Sequence, residues 1–123
     1  MGMVHADLDV TGVSGRRLTA RFLVDSGAFY SVLPETVWRA IGLEPTRDLE
    51  FVLADGTSIE RQVSDCRFAY QGVEAPSPVV LGEGEDVALL GSVTLETLGL
   101  MLNPLRRTLT PMGMRLAASA VAS

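Results

Sequence analysis

Lysine is absent from the 123-residue chain, and cysteine, histidine and tryptophan occur once each. The lone Cys66 excludes an internal disulfide, and with His5 as the single histidine no Cys/His zinc set can be assembled. Positive charge is scarce: ten arginines face fifteen acids, for a net charge of −5 and a pI near 4.7. That balance excludes a broad footprint for nucleic acid or an anionic membrane. Apolar runs reach only four residues, as in Val87–Leu90, far short of the roughly 20 that a membrane-spanning helix needs. The first fifteen residues carry Asp7 and Asp9 and lack a basic start and an apolar core, so no secretory signal is expected. A soluble cytoplasmic protein is the expectation.

What is present fits one compact domain. Hydrophobic residues make up 47% and charged ones 20%, which argues against disorder, and a chain of this length can bury a core without covalent staples. A single domain over residues 1–116 is expected, with 117–123 (AASAVAS) as a flexible tail. Val4–Val13 alternates with the period of a half-buried strand, Gly12–Gly15 marks a turn, and Arg17–Val24 resumes as a second strand. Pro34–Ile41 reads as a short helix with Pro34 at its first position and Gly42 as its stop. Leu49–Ala54 and Thr57–Val63 flank Asp55-Gly56, a two-residue hairpin signal. Further strands are expected at Arg67–Tyr70, Pro78–Leu81 and Val87–Leu90, with a Gln71-Gly72 turn and a solvated acidic loop at Glu83–Asp86. Ser92–Leu98 reads as a second short helix capped by Gly99, before closing strands at Leu100–Leu102 and Arg107–Leu109. The two halves echo one another, each running from apolar strand through glycine and helix to Gly-Leu. Only the first half ends its apolar strand in an acid, Asp25.

Asp25 carries the chemistry. A carboxylate directly after an apolar strand is unusual, because a charge in low dielectric is costly unless shared. Taken alone, Asp25-Ser26-Gly27 reads as a turn. Its surroundings say more. Phe22-Leu23-Val24-Asp25-Ser26-Gly27-Ala28, followed by Ser31-Val32-Leu33-Pro34 and Ile41-Gly42-Leu43, resembles the retroviral-type (retropepsin-like) aspartic proteases, in a non-viral branch. Leu53-Ala54-Asp55-Gly56-Thr57 resembles the tip of that family's β-hairpin flap. Leu89-Leu90-Gly91, with Leu95, Leu98-Gly99-Leu100 and Asn103-Pro104, resembles its second-half signature. The likeness covers about residues 17–110.

The resemblance implies an all-β, closed barrel-like retropepsin fold with one or two short helices and a single lobe per chain. It further implies a homodimeric aspartic endopeptidase acting on a peptide or protein substrate, with no metal and no organic cofactor. One chain supplies one Asp-Ser-Gly, and Leu90-Gly91 stands where an internal copy would need an acid. The expected site therefore pairs Asp25 with its counterpart across a twofold axis. Two such carboxyls share one proton, so one activates water while the other polarises the scissile carbonyl. On the same ground Ser26 would bond the opposing subunit's backbone, and the Gly27 carbonyl would meet the substrate backbone. Ala28, Phe29 and Val32 would line side-chain pockets, while Ala54, Asp55, Gly56 and Thr57 would close over the peptide. Viral members usually have an acid where Phe29 stands and an arginine where Ser92 stands. That departure supports a rival reading, a non-catalytic dimeric module that binds peptides or serves assembly.

The remaining residues point elsewhere. Ser26 lacks a G-x-S-x-G frame. Cys66 reads as a small structural thiol, and Glu83-Glu85-Asp86 lacks the spacing of a calcium loop.

Overall fold

The computed structural model describes residues 3–113, so the expected tail at 117–123 and the last residues of the expected domain lie outside it. The order of elements is β1 (His5–Thr11), β2 (Arg17–Val24), β3 (Ser31–Leu33), α1 (Glu35–Ala40), β4 (Arg47–Val52), β5 (Ser58–Tyr70), β6 (Val73–Leu81), β7 (Leu89–Leu90), α2 (Ser92–Thr97), β8 (Leu100–Asn103) and β9 (Thr108–Pro111). Seven strands form one sheet in the order β1-β2-β7-β3-β6-β5-β4, and a further pairing of β1 with β5 joins the ring. Six strands thus close on themselves, and β4 continues outward from β5. Closure removes most of the unpaired edge that an open sheet would expose.

Alternation of side chains builds the interior. Leu8 and Val10 of β1, Phe22 and Val24 of β2, and Phe68 of β5 all turn inward and are buried. The rings of Phe22 and Phe68 lie 5.8 Å apart in a tilted pair. Helix α1 covers one end: Trp38 is buried and its indole N–H donates to the Gly82 carbonyl at 2.9 Å. Gly12 permits this approach, since a Cβ there would collide with the Ile41 carbonyl oxygen.

The two helices end alike. Gly42 (φ 74°) and Gly99 (φ 68°) both adopt the left-handed conformation, and each is followed by a buried leucine, Leu43 and Leu100. This is the echo seen in the sequence. Pro34, however, is the extended residue before α1 rather than its first helical residue.

Several expected elements change in extent. The expected strands Thr57–Val63 and Arg67–Tyr70 merge into one, β5, which starts at Ser58 and is thirteen residues long. The polar Ser64-Asp65 interruption is absorbed because Ser64 donates its hydroxyl to the Glu44 carbonyl. β6 starts at Val73 rather than Pro78. Its prolines, Pro76 and Pro78, pair with β5 and precede Val79, where pairing with β3 begins, so their missing N–H groups fall on an open edge. Only Leu89-Leu90 of the expected Val87–Leu90 strand pairs. The turn between β4 and β5 is longer than the expected two residues. Leu53 and Thr57 close it, Gly56 bonds back to the Leu53 carbonyl, and Gly56 takes φ 88°. This is a three-residue loop ending in a left-handed glycine.

Behind β3 and β7 lies a buried hydroxyl cluster. Thr94 Oγ1 sits 2.6 Å from Ser31 Oγ and 2.9 Å from Ser77 Oγ, and the Gly91 N–H donates to Ser31 Oγ at 3.0 Å. The cluster ties α2, β3 and β6 together away from water, where an unmade bond costs most. Replacing Thr94 by valine keeps the shape and removes the shared hydroxyl. A destabilisation of about 1–2 kcal/mol is expected, read as a lower urea midpoint with an unchanged m-value.

Candidate active site

The β2 strand delivers Asp25 at its C-terminal end, and β7 fixes the delivery. β7 inserts between β2 and β3, parallel to the first (Leu23 opposite Leu89) and antiparallel to the second (Val32 opposite Leu89). The loop joining β2 to β3 therefore spans a strand that arrives much later in the chain. The Asp25 N–H donates to the Leu90 carbonyl at 3.0 Å, which extends the β2–β7 pairing by one residue. The Asp25 carbonyl accepts from the Ala28 N–H at 3.1 Å, closing a turn. Asp25 Oδ1 accepts from the Gly27 N–H at 3.0 Å. The first turn of α2 clamps the rest, with Ser92 N–H on the Ala28 carbonyl (2.8 Å) and Val93 N–H on that of Phe29 (3.0 Å).

Gly91 completes the clamp. A Cβ there would stand 2.7 Å from the Phe29 carbonyl oxygen and from backbone atoms of Tyr30. Asp25, Ser26 and Gly27 are exposed in the single chain, and Ser26 makes no side-chain hydrogen bond among the described residues. The loop is rigidly held, yet its carboxylate faces out.

Beside it opens an apolar cavity of about 360 Å³. Ala28, Phe29, Tyr30 and Val32 form one wall; Phe51, Leu53 and Ile59, from the arms of the β4–β5 hairpin, form another. Phe29 is 66% exposed and meets Tyr30 edge-on at 5.2 Å, and Tyr30 in turn meets Phe51 edge-on at 5.9 Å. An aromatic chain thus bridges the Asp25 loop and the hairpin. Of the residues picked from the sequence, Ala28, Phe29 and Val32 come together here. Ala54, Asp55, Gly56 and Thr57 are exposed at the hairpin end, outside the cavity lining. The Asp55 carboxyl accepts from the Thr57 hydroxyl and N–H, and these bonds hold it below the ordinary carboxylate range.

Sequence reasoning missed the hairpin arms and the ion pair at the cavity wall. Phe51 is directly opposite Ile59 in the β4–β5 register, and Phe51, Leu53, Ile59 and Arg61 share the period-two spacing that puts alternate residues on one face. That signal was available on either side of Asp55-Gly56. Arg61 Nε donates to Asp86 Oδ2 at 3.0 Å, and Glu83 approaches the same guanidinium at 3.9 Å. Burial works to raise the Asp86 pKa. The hydrogen bonds from Arg61 and the Glu83 N–H, with the Arg61 charge, outweigh it and hold the carboxyl below its ordinary value.

Cys66 supplies no nucleophile. Burial, aided by the Asp65 charge, pushes its thiol up to about 12. Among the described residues no group of three His, Cys, Asp or Glu side chains could hold a metal ion, and no helix is long and apolar enough to cross a membrane.

Comparison with known proteins agrees with this geometry. The model of a family described as "gag-polyprotein putative aspartyl protease" matches residues 11–97. The chain belongs to that retroviral-type aspartyl protease family. Among solved structures, it is similar to EIAV protease complexed with the inhibitor HBY-793, at 18% identity and a TM-score of 0.58. The match covers 80% of this chain and 89% of that one. No curated protein sequence matches. The chain accordingly has the all-β retropepsin fold, with the two short helices flanking a closed ring.

Two outcomes are expected from this geometry. In Gly91→Ala the added methyl must displace the 25–30 loop, at about 1–3 kcal/mol of stability. Hydrogen exchange at the Asp25 and Ala28 amides should quicken beyond the loss seen at core strands. Acid stability supplies the second. A carboxyl whose folded pKa lies below its unfolded value adds stability that is present above roughly pH 4 and is lost as pH falls through the folded value. Asp86→Asn should therefore flatten the acid limb of a urea-midpoint curve recorded from roughly pH 6 down to pH 3.

Proposed function

We propose that the protein is a homodimeric aspartic endopeptidase that cleaves extended, partly apolar peptide segments, with Asp25 from each chain as its catalytic pair. The observation that carries this reading is the placement of Asp25. It is held by backbone bonds at the end of a core strand, its carboxylate is exposed, and the loop it opens goes on to line an apolar cavity through Ala28, Phe29 and Tyr30, in a chain of the aspartyl protease family.

A single carboxylate cannot act as both acid and base in one step. A second copy supplies the other, and the pair titrates as a unit. The ionised carboxylate takes a proton from a bound water as its oxygen adds to the scissile carbonyl carbon; the protonated partner gives its proton to the carbonyl oxygen. The tetrahedral diol then collapses, the C–N bond breaks, and a proton passes to the departing amine, which leaves an acid and an amine as products.

The surface next to Asp25 fits the pairing. Ser26 borders a hollow of about 260 Å³ lined by Ser92, Leu95, Leu102 and Met112, and Met101 and Leu105 are exposed nearby on the β8–β9 hairpin. A twofold-related copy seated there would bring Ser26 against its counterpart's loop. In this reading Gly27 offers its carbonyl to the substrate, Ala28, Phe29 and Val32 line the binding cleft, and Ala54–Thr57 fold over the peptide and exclude water. A cytoplasmic site of action belongs to the same proposal, and the buried free thiol of Cys66 is compatible with a reducing compartment.

One feature favours a second reading, a dimeric peptide-binding or assembly module without catalysis: Phe29 and Ser92 stand where viral members have an acid and an arginine. Asp25→Asn separates the two. The amide can still accept from the Gly27 N–H, so fold and dimer should persist in sedimentation while cleavage falls at least 1,000-fold, to the limit of the assay. Cleavage retained in the variant would overturn the protease assignment, and a wild-type chain that binds peptide without cutting it would establish the module.

A further inference from the structure

The cavity beside Asp25 is apolar apart from one half-buried pair. Arg61 reaches it from β5 and Asp86 from the segment between β6 and β7, with side chains 20% and 32% exposed. Asp86 Oδ2 is doubly engaged, by Arg61 Nε at 3.0 Å and the Glu83 N–H at 2.9 Å. Its other oxygen, Oδ1, makes no hydrogen bond among the described residues. The guanidinium is occupied by Asp86, by the Glu60 carbonyl at 3.0 Å and, more distantly, by Glu83. Within the lining one cation faces one carboxylate, so the pair is close to neutral and Asp86 Oδ1 keeps spare capacity to accept.

We infer that this cavity selects a substrate side chain with a large apolar body and a hydrogen-bond-donating tip, tyrosine above phenylalanine, with the phenol donating to Asp86 Oδ1. The inference deepens the peptide-binding reading of the site and rests on it. Phe29, Tyr30, Phe51 and Leu89 offer aromatic and aliphatic surface to a ring. Lysine is disfavoured because that lining would strip water from its ammonium group. Glutamate is disfavoured more strongly, since its charge would lose water and meet the Asp86 carboxylate. Phenylalanine fills the same space but leaves the carboxylate oxygen unpaired, and sites that can bond a substrate hydroxyl discriminate against analogues lacking it.

The test uses extended peptides of apolar residues with one varied position carrying Tyr, Phe, Lys or Glu. Wild-type protein is scored for kcat/KM, and the Asp25→Asn chain for peptide binding by calorimetry. Tyrosine should exceed phenylalanine about fivefold in both assays at one position, with Lys and Glu weaker than either. In the paired Arg61→Leu, Asp86→Leu variant, chosen because replacing both partners of an ion pair with apolar residues is well tolerated, the Tyr-to-Phe ratio should fall to about one or below. Equal use of Tyr and Phe by the wild type, or a ratio unchanged in the double variant, overturns the inference while leaving the protease assignment intact. Cleavage absent with the Tyr preference kept in binding sinks the protease assignment alone; no cleavage and no binding sink both.

Discussion

The insertion of β7 between β2 and β3 is the constraint on which the rest of the structure depends. Two strands adjacent in sequence are forced apart by a third, and the chain between them must arch over its end. That arch contains Asp25. Its path is set by main-chain bonds: Asp25 to Leu90, Ala28 to Asp25, Ser92 to Ala28 and Val93 to Phe29. Backbone bonds do not depend on pH or salt as ion pairs do, so the carboxylate is positioned without any other charged group having to hold it. In the proposed dimer this independence matters, because a strong charged partner within the chain would compete for Asp25 with the opposing carboxylate.

The clamp has to be held in its turn, and the buried hydroxyls of Ser31, Thr94 and Ser77 hold it. Three polar side chains in a core this small are a risk, since each unpaired hydroxyl would cost more than its bond returns. They are arranged so that each meets another, and Ser31 also accepts the Gly91 N–H. No buried polar side-chain atom among the described residues lacks a partner. An apolar replacement could fill the space, but it would not direct the Gly91 N–H inward. The orientation of Gly91 is what lets the 25–30 loop pass so close to it.

Much of this was legible in the sequence because local chemistry and global position agree. Phe22-Leu23-Val24 before Asp25-Ser26-Gly27, and glycines after both helices, are signals whose cause lies within a few residues. The extents of β5 and β6 were not legible for the opposite reason. Ser64 is satisfied by Glu44, and Pro76 and Pro78 are tolerated because of where β3 begins. Neither fact is visible from neighbours in sequence. The same distinction divides the site. Ala28, Phe29 and Val32 follow from the motif, whereas Arg61 and Asp86, 25 residues apart, meet only because β5 passes the segment after β6. The β4–β5 turn illustrates a smaller gap: Asp55-Gly56 announces a turn, but Leu53 and Thr57 decide its length.

Phe29 and Ser92 bear on whether the departure from the viral pattern damages the site. An acid and an arginine at these positions would link the Asp25 loop to the start of α2 through side chains. In this chain the same two segments are linked by main-chain bonds, with Ser92 and Val93 N–H groups on the carbonyls of Ala28 and Phe29. The link therefore survives the loss of both charges. The freed position 29 then turns an aromatic ring toward Tyr30 and, through it, Phe51 on the hairpin. A charged residue at position 29 would add its desolvation cost to any apolar group entering the cavity, whereas a phenylalanine adds apolar surface. Phenylalanine at position 29 thus alters the character of the cavity wall, on a loop whose position it does not control.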